Sequence, residues 1–454
     1  MSDEPYSEMS GLQSSLLAAR SAKVLCSAVF VSGRDPDEAI RNSVLDAASY
    51  RGLSREHLKL AEIDKARKEV HIRINDSPVR TARFYGDQGC VILPLDSTEV
   101  FFNPVPVKTK LPEPMTQPWP MGDVLPGKPL PPNIDKARLD DAVDAAFASP
   151  DCCTAAFLVS YKGQLVAERY DLGVGKDTQL ESWSMGKSIT ATLIGILIQQ
   201  GRFGLWDPAP IPSWHVKGDK RSKIRVADLM RMSSGLKFTG TEDPPEKWER
   251  GVPDHLYVYS GAADVFQFSI NRPPEHPPNT VGRYRNCDAL SLGYIVKKTV
   301  TEMGEEYLSW PQKVLFDRIG IRKQVLEPDP YGNFVMTGFD YGTPRNWMRL
   351  GMLYLQKGIW MGERILPEGF TDFVSTPAPA WKKPEYGGLF RLNGTGIWNL
   401  PKEAYYMSGA GVNRVLVVPS MDMVVVRMGH SRGGQTGERA LNVALKKVNS
   451  AIST

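Results

Sequence analysis

Histidine is scarce in this chain: there are six among 454 residues, at His57, His71, His215, His255, His276 and His430. None falls at the H-E-x-x-H spacing of a zinc hydrolase and no C-x-x-C occurs, so neither a metal site nor a cofactor is expected. Any hydrolytic base therefore has to come from another residue type. His255 and His276 fall in the segment expected on the substrate side, where a lone histidine reads as an exposed loop residue. Apolar runs of membrane-spanning length, about eighteen residues, are missing too. Leu16 to Val31 is the nearest approach, but Arg20 and Lys23 interrupt it. No small-residue cleavage site follows it as a signal peptide requires, so cytoplasm and periplasm stay equally open. Charge of one sign is also lacking: 55 Lys and Arg against 51 Asp and Glu leave a net +4. No basic run has the density a nucleic-acid partner needs. Cysteines number five, an odd count that leaves at least one thiol unpaired within a monomer. Cys26 and Cys90 are able to bridge in an oxidising compartment, whereas buried thiols are the plainer reading of all five.

Against these absences stands Ser184-Met185-Gly186-Lys187, just ahead of the apolar stretch Ala191 to Ile198. A serine and a lysine three residues apart at the start of a helix share one face about a turn apart. The amine can then take the hydroxyl proton, provided its pKa falls from the usual value of about 10.4. The helix N-terminus adds unpaired N–H groups that favour a developing oxyanion. Alone, S-x-x-K is common and describes an ordinary solvated first turn. A competing motif is Gly429-His430-Ser431-Arg432-Gly433, which matches the G-x-S-x-G nucleophile elbow. That fold needs an acid and then a histidine after the serine, and no histidine follows His430. The stretch is read as a loop between the last strand and a terminal helix.

Further elements follow Ser184 in order. Tyr284-Arg285-Asn286 precedes an apolar-periodic helix from Cys287, and Met407-Ser408-Gly409-Ala410-Gly411 leads into Val415–Val418 and Met423–Val426, a strand pair around a turn. Together, S-x-x-K, Y-x-N and the late glycine motif resemble the serine β-lactamase and penicillin-binding-protein superfamily. Within it, the resemblance is to class C-like esterases and 6-aminohexanoate-dimer hydrolases, over roughly residues 135 to 450. It implies a serine hydrolase acting on a small ester or amide, a carboxylesterase or amidase. Ser184 would be the nucleophile, Lys187 and Tyr284 the shared base and acid, and Asn286 a partner of Lys187 and substrate. The N–H groups of Ser184 and Ala410 would form the oxyanion hole. Met407 stands where the superfamily carries a cation, which points away from β-lactams and towards substrates without a fixed carboxylate. The alternatives are a β-lactam- or D-peptide-processing enzyme, and a non-catalytic binding protein on the same scaffold. Trp183, Tyr257, Tyr259, Arg345, Gly409 and Gly411 are the candidates to line the cleft, with Tyr257 and Tyr259 bracketing a short strand.

The resulting expectation is a mixed α/β (α+β) fold, an antiparallel sheet flanked by helices with a mostly helical second lobe and an extra N-terminal region. Residues 1–103 form that accessory region, with a helix near 36–49 and strands near 58–63, 69–74 and 91–95. It is a candidate gate for the cleft or a homodimer surface, and the sequence does not choose. Residues 104–132 are a proline-dense connector anchored by Trp119. Residues 133–454 are the hydrolase domain: a helix over 134–149, a hairpin at 155–161 and 165–170, a helical lobe over about 200–345 and a terminal helix near 438–448. Thr343 and Pro344 suit the cap and first position of another helix.

Overall fold

The computed structural model describes residues 11–45 and 53–452. Its centre is a six-stranded antiparallel sheet assembled from both ends of residues 133–454. Strands β5 (Thr154–Tyr161) and β6 (Gln164–Tyr170) form the expected hairpin. They join β7 (Arg391–Leu392), β8 (Tyr405–Gly409), β9 (Asn413–Val418) and β10 (Met423–Gly429) in the order β7-β8-β9-β10-β5-β6. The central strands carry continuous apolar runs, Val415–Val418 and Met423–Val426, because both faces are covered. One face (Phe157, Val159, Leu416, Val418, Val425) packs on helices α2 (Lys136–Ala146) and α7 (Gly434–Ala451). The other (Leu158, Val415, Val417, Val424, Val426) joins α6 (Pro344–Leu355), where a Cβ on Gly351 would collide with Val415 and Val424. Each fully buried Val or Leu side chain contributes about 1.5–3 kcal/mol. Thr343 caps α6 as expected, its hydroxyl accepting from the Asn346 N–H at 3.1 Å.

The segment between the two halves of the sheet is helical and loop-rich. It carries α3 (Gly186–Gln199), α4 (Asp254–Ser260) and α5 (Asn286–Glu302). Tyr257 and Tyr259 sit on α4, correcting the strand expected there; the segment is one short helix between Pro253 and Gly261.

In the N-terminal region a fully folded helix α1 (Gly11–Phe30) lies on a four-stranded antiparallel sheet, β1 (Leu58–Asp64) to β4 (Cys90–Ile92). Strand β3 (Arg80–Phe84) and α1 both escaped the sequence pattern. The helix expected near 36–49 begins at Pro36 behind an Asp35 cap, and residues 46–49 lie outside the described ones. The proline-dense connector follows an irregular path. Trp119 does anchor it: its indole N–H donates to the Gly163 carbonyl at 3.2 Å, and Arg349 stacks on its ring at 4.6 Å. Among the described residues no helix is long and apolar enough to cross a membrane. All five cysteines are buried free thiols, with Cys26 and Cys90 in contact.

Candidate active site

Ser184 sits on a tight turn (Trp183–Met185) that runs directly into α3. Trp183 there has φ +52°, a left-handed conformation that costs a bulky residue about 1–3 kcal/mol. Neighbouring backbone holds it in place. The Ser182 N–H donates to the Asp340 carbonyl at 3.1 Å and its hydroxyl to the same oxygen at 2.8 Å. Leu180–Glu181 pairs with Asp340–Gly342. A side chain at Gly186 would strike Asp340 and the Met336 carbonyl, so only glycine lets this turn approach the 336–340 segment.

One turn along α3, the amine of Lys187 lies 3.0 Å from the Ser184 hydroxyl and donates to the Thr337 carbonyl at 2.9 Å. Lys187 is 2% exposed. The same carbonyl accepts the Tyr259 hydroxyl at 2.6 Å. Tyr284, arriving just before α5, places its ring 4.8 Å from the Lys187 amine. Burial pushes the Tyr284 phenol up, but Lys187, the Ser184 hydroxyl and Arg391 together hold it below its ordinary value. Asn286, the first residue of α5, is buried and donates to the Tyr259 hydroxyl at 3.3 Å; its side-chain oxygen has no hydrogen-bond partner among the described residues.

The opposite wall is the end of β8. Gly409 packs against the Ser182 carbonyl so closely that a Cβ would overlap it, which sets Ala410 across from Ser184. Ser184, Lys187, Tyr284, Ser408, Gly409 and Ala410 thus surround one pocket of about 220 Å³, with His255, Tyr386, Leu389 and Arg391 completing it. Burial and the Lys187 ammonium push the His255 imidazole down to about 3, so it is neutral at working pH. The exposed-loop reading of His255 is thereby corrected: it is a half-buried part of the wall. His276 remains on a loop, beside Glu275.

Several candidates lie elsewhere. Arg345 is bound to Glu168 at 2.7 Å, with Asp123 at 3.6 Å, away from the pocket. Trp183 is 5% exposed and turned into the core against Tyr259 and Phe339. Tyr257 lines a different cavity, Tyr259 supports the pocket from behind, and Gly411 is absent from its lining. Ser431 follows β10 on a turn, and its neighbour His430 faces Glu181 at 3.5 Å, so the elbow geometry does not form. Residues missed from sequence are Thr337, whose backbone carbonyl is the shared acceptor, and Arg391. Neither belongs to a motif.

Comparison with known proteins agrees with this fold. The beta-lactamase family model matches residues 139–449. The 6-aminohexanoate-dimer hydrolase of Paenarthrobacter ureafaciens is 24% identical over 234 residues, covering 49% of this chain and 57% of that protein. The chain therefore aligns with little more than half of that relative's length. Among solved structures, a provisional 6-aminohexanoate-dimer hydrolase from Bacillus anthracis superposes with a TM-score of 0.55 at 21% identity, covering 71% of this chain and 83% of that one. A family VIII carboxylesterase superposes with a TM-score of 0.50 at 15% identity, covering 70% and 98%.

Proposed function

The chain belongs to the beta-lactamase family, and on that premise we propose that it is a serine hydrolase cleaving an ester or amide of a small molecule through an acyl-enzyme on Ser184. The carrying observation is the 3.0 Å approach of Lys187 to Ser184 beside a Tyr284 phenol held below its ordinary value. In the proposed reaction, the Lys187/Tyr284 pair removes the Ser184 proton as Oγ forms its bond to the substrate carbonyl carbon. The carbonyl oxygen takes the negative charge and accepts from the Ser184 and Ala410 N–H groups. Collapse breaks the bond to the leaving group, which receives the proton from Tyr284. Water, deprotonated by the same pair, then attacks the acyl carbon and frees Ser184. Asn286 holds Tyr259 and leaves its side-chain oxygen for Lys187 or a substrate amide. Intact-mass analysis after fluorophosphonate treatment is expected to show a single adduct, mapped to Ser184 and absent in Ser184→Ala. An adduct on Ser431, or none together with no ester turnover, would sink the proposal.

The pocket also indicates what the substrate carries. Met407, on the residue before Ser408, is 1% exposed and part of the core, so β8 supplies no cation. Arg391 on the adjacent strand β7, paired with Tyr406, supplies one. Its guanidinium stacks on Tyr284 at 5.2 Å, Tyr386 at 5.3 Å and Trp381 at 6.0 Å, and among the described residues it meets no carboxylate. An arginine with open donors at a pocket wall suits a carboxylate. We therefore revise the expectation of a substrate without a fixed carboxylate to one bearing an acid group near the scissile bond. With mono-p-nitrophenyl adipate, Arg391→Met is expected to lower kcat/KM about 10- to 100-fold, as loss of one charge-assisted hydrogen-bond pair implies. Turnover of p-nitrophenyl hexanoate should change about threefold or less, since hydrogen bonds to the acid group are absent there. Equal losses on both esters would assign Arg391 to the Tyr284 phenol instead of the substrate. A chromogenic cephalosporin belongs in the same panel; hydrolysis far faster than either ester would favour the β-lactam alternative.

A further inference from the structure

A second cavity of about 230 Å³ lies between α1 and α4, on the far side of Tyr259 from Ser184. Its walls are mainly apolar, with Leu16, Leu93, Leu95, Tyr257, Val335 and Phe339 among them. One charged group in it is unusual. Arg80, on β3, is 7% exposed, and burial pulls its guanidinium down with no acidic neighbour among the described residues acting in the other direction. Among the described residues its hydrogen bonds go to the Ser15 carbonyl at 3.4 Å and hydroxyl at 3.3 Å, both long. The other charges on the lining are already matched. Lys23 is paired with Glu327. The Asp329 carboxylate accepts the N–H groups of Val265 at 2.8 Å, Tyr331 at 2.8 Å and Asn333 at 3.0 Å. A buried cation without a counter-charge is costly unless something supplies one.

We infer that this cavity is a second ligand site, taking an aliphatic monoanion whose chain lies among the apolar residues and whose head group meets Arg80. Such a ligand matches both halves of the cavity: apolar burial for the chain and a bidentate anion partner for the guanidinium. Its wall is shared with the active site, because Tyr259 and Phe339 line it while the Tyr259 hydroxyl holds the Thr337 carbonyl that Lys187 uses.

The test is calorimetric titration of the full chain with decanoate, below its micellar concentration, and with decanol. Decanoate is expected to bind at one site about 10-fold or more tightly than decanol, the margin of a charge-assisted hydrogen-bond pair. Arg80→Met should abolish that preference, Arg80→Lys should retain most of it, and Arg391→Met should leave it intact. Decanoate and decanol binding equally to the unmodified protein would overturn the inference, a result that depends on no variant folding. So would a preference that survives Arg80→Met, or one that disappears in Arg391→Met, which would move the ligand into the active site.

Discussion

Alanine at Ser184 is expected to reduce turnover of an activated ester by about 10⁴-fold or more, the scale seen when a nucleophile is removed from a covalent mechanism. Lys187→Met should cost nearly as much. The two act as one unit, so the double variant should be no worse than the poorer single one. Additive losses would instead mean that Lys187 works through something other than Ser184. Folding will not confuse the readout. Besides its contacts with Lys187 and Tyr284, Ser184 makes a 3.3 Å contact to the Thr337 carbonyl, and that carbonyl keeps the Tyr259 hydroxyl when Lys187 is replaced. Lys187→Met exchanges a buried amine for an apolar chain of similar length, and stability is expected to rise by about 1 kcal/mol. Greater stability with lost activity is the signature of a group placed for chemistry. With Lys187 gone, burial should outweigh the remaining influences on Tyr284 and raise its pKa, moving the rising limb of any residual pH–rate profile to higher pH.

How much of this was legible before folding depended on whether the relevant partner lay nearby in sequence. The central strands announced themselves because Val415–Val418 and Met423–Val426 are apolar on both faces and bounded by turn residues. The Ser184–Lys187 pair was legible because one helical turn joins them. Arg391 was not: its importance comes from aromatic rings on other segments and from what it lacks, a carboxylate. Arg345 misled in the opposite sense, because its partner Glu168 lies on β6, far along the chain. Likewise His255 looked like loop until α4 set it against Asn286, 3.4 Å from its side chain. The helix α1 was missed for the same kind of reason. Arg20 and Lys23 broke its apolar pattern, yet both are buried, and the partner of Lys23 is Glu327, some three hundred residues away.

That ion pair gives the N-terminal region a role at the active site, and breaking it is expected to have the second large effect. Lys23 and Glu327 are 1% and 0% exposed at their side chains. Glu327 also accepts from Ser27 at 2.8 Å and from the Cys90 N–H at 2.7 Å, so α1 and β4 both converge on it. From Glu327 the chain runs through Thr337, whose carbonyl positions Lys187, to Asp340, which braces Ser182. Removing one member of a buried pair strands the other charge, which costs about 3–5 kcal/mol. For Lys23→Met the loss should depend on pH. Burial already raises the Glu327 pKa above 4.5, against the pull of Lys23. Without Lys23 it rises further, so at low pH Glu327 simply stays protonated and little is lost. As pH climbs through that raised pKa the unfolded chain releases its proton first, and stability falls relative to the unmodified protein. Denaturation at pH 5 and pH 8 should therefore show a small deficit at the first and most of the 3–5 kcal/mol at the second. Lys23→Met with Glu327→Gln should show no such pH dependence. At a pH where the single variant remains folded, its kcat on a neutral ester should fall with little change in KM, because the disturbed element is the carbonyl that positions Lys187. An unchanged kcat would confine α1 to holding the fold, with no hand in setting Lys187.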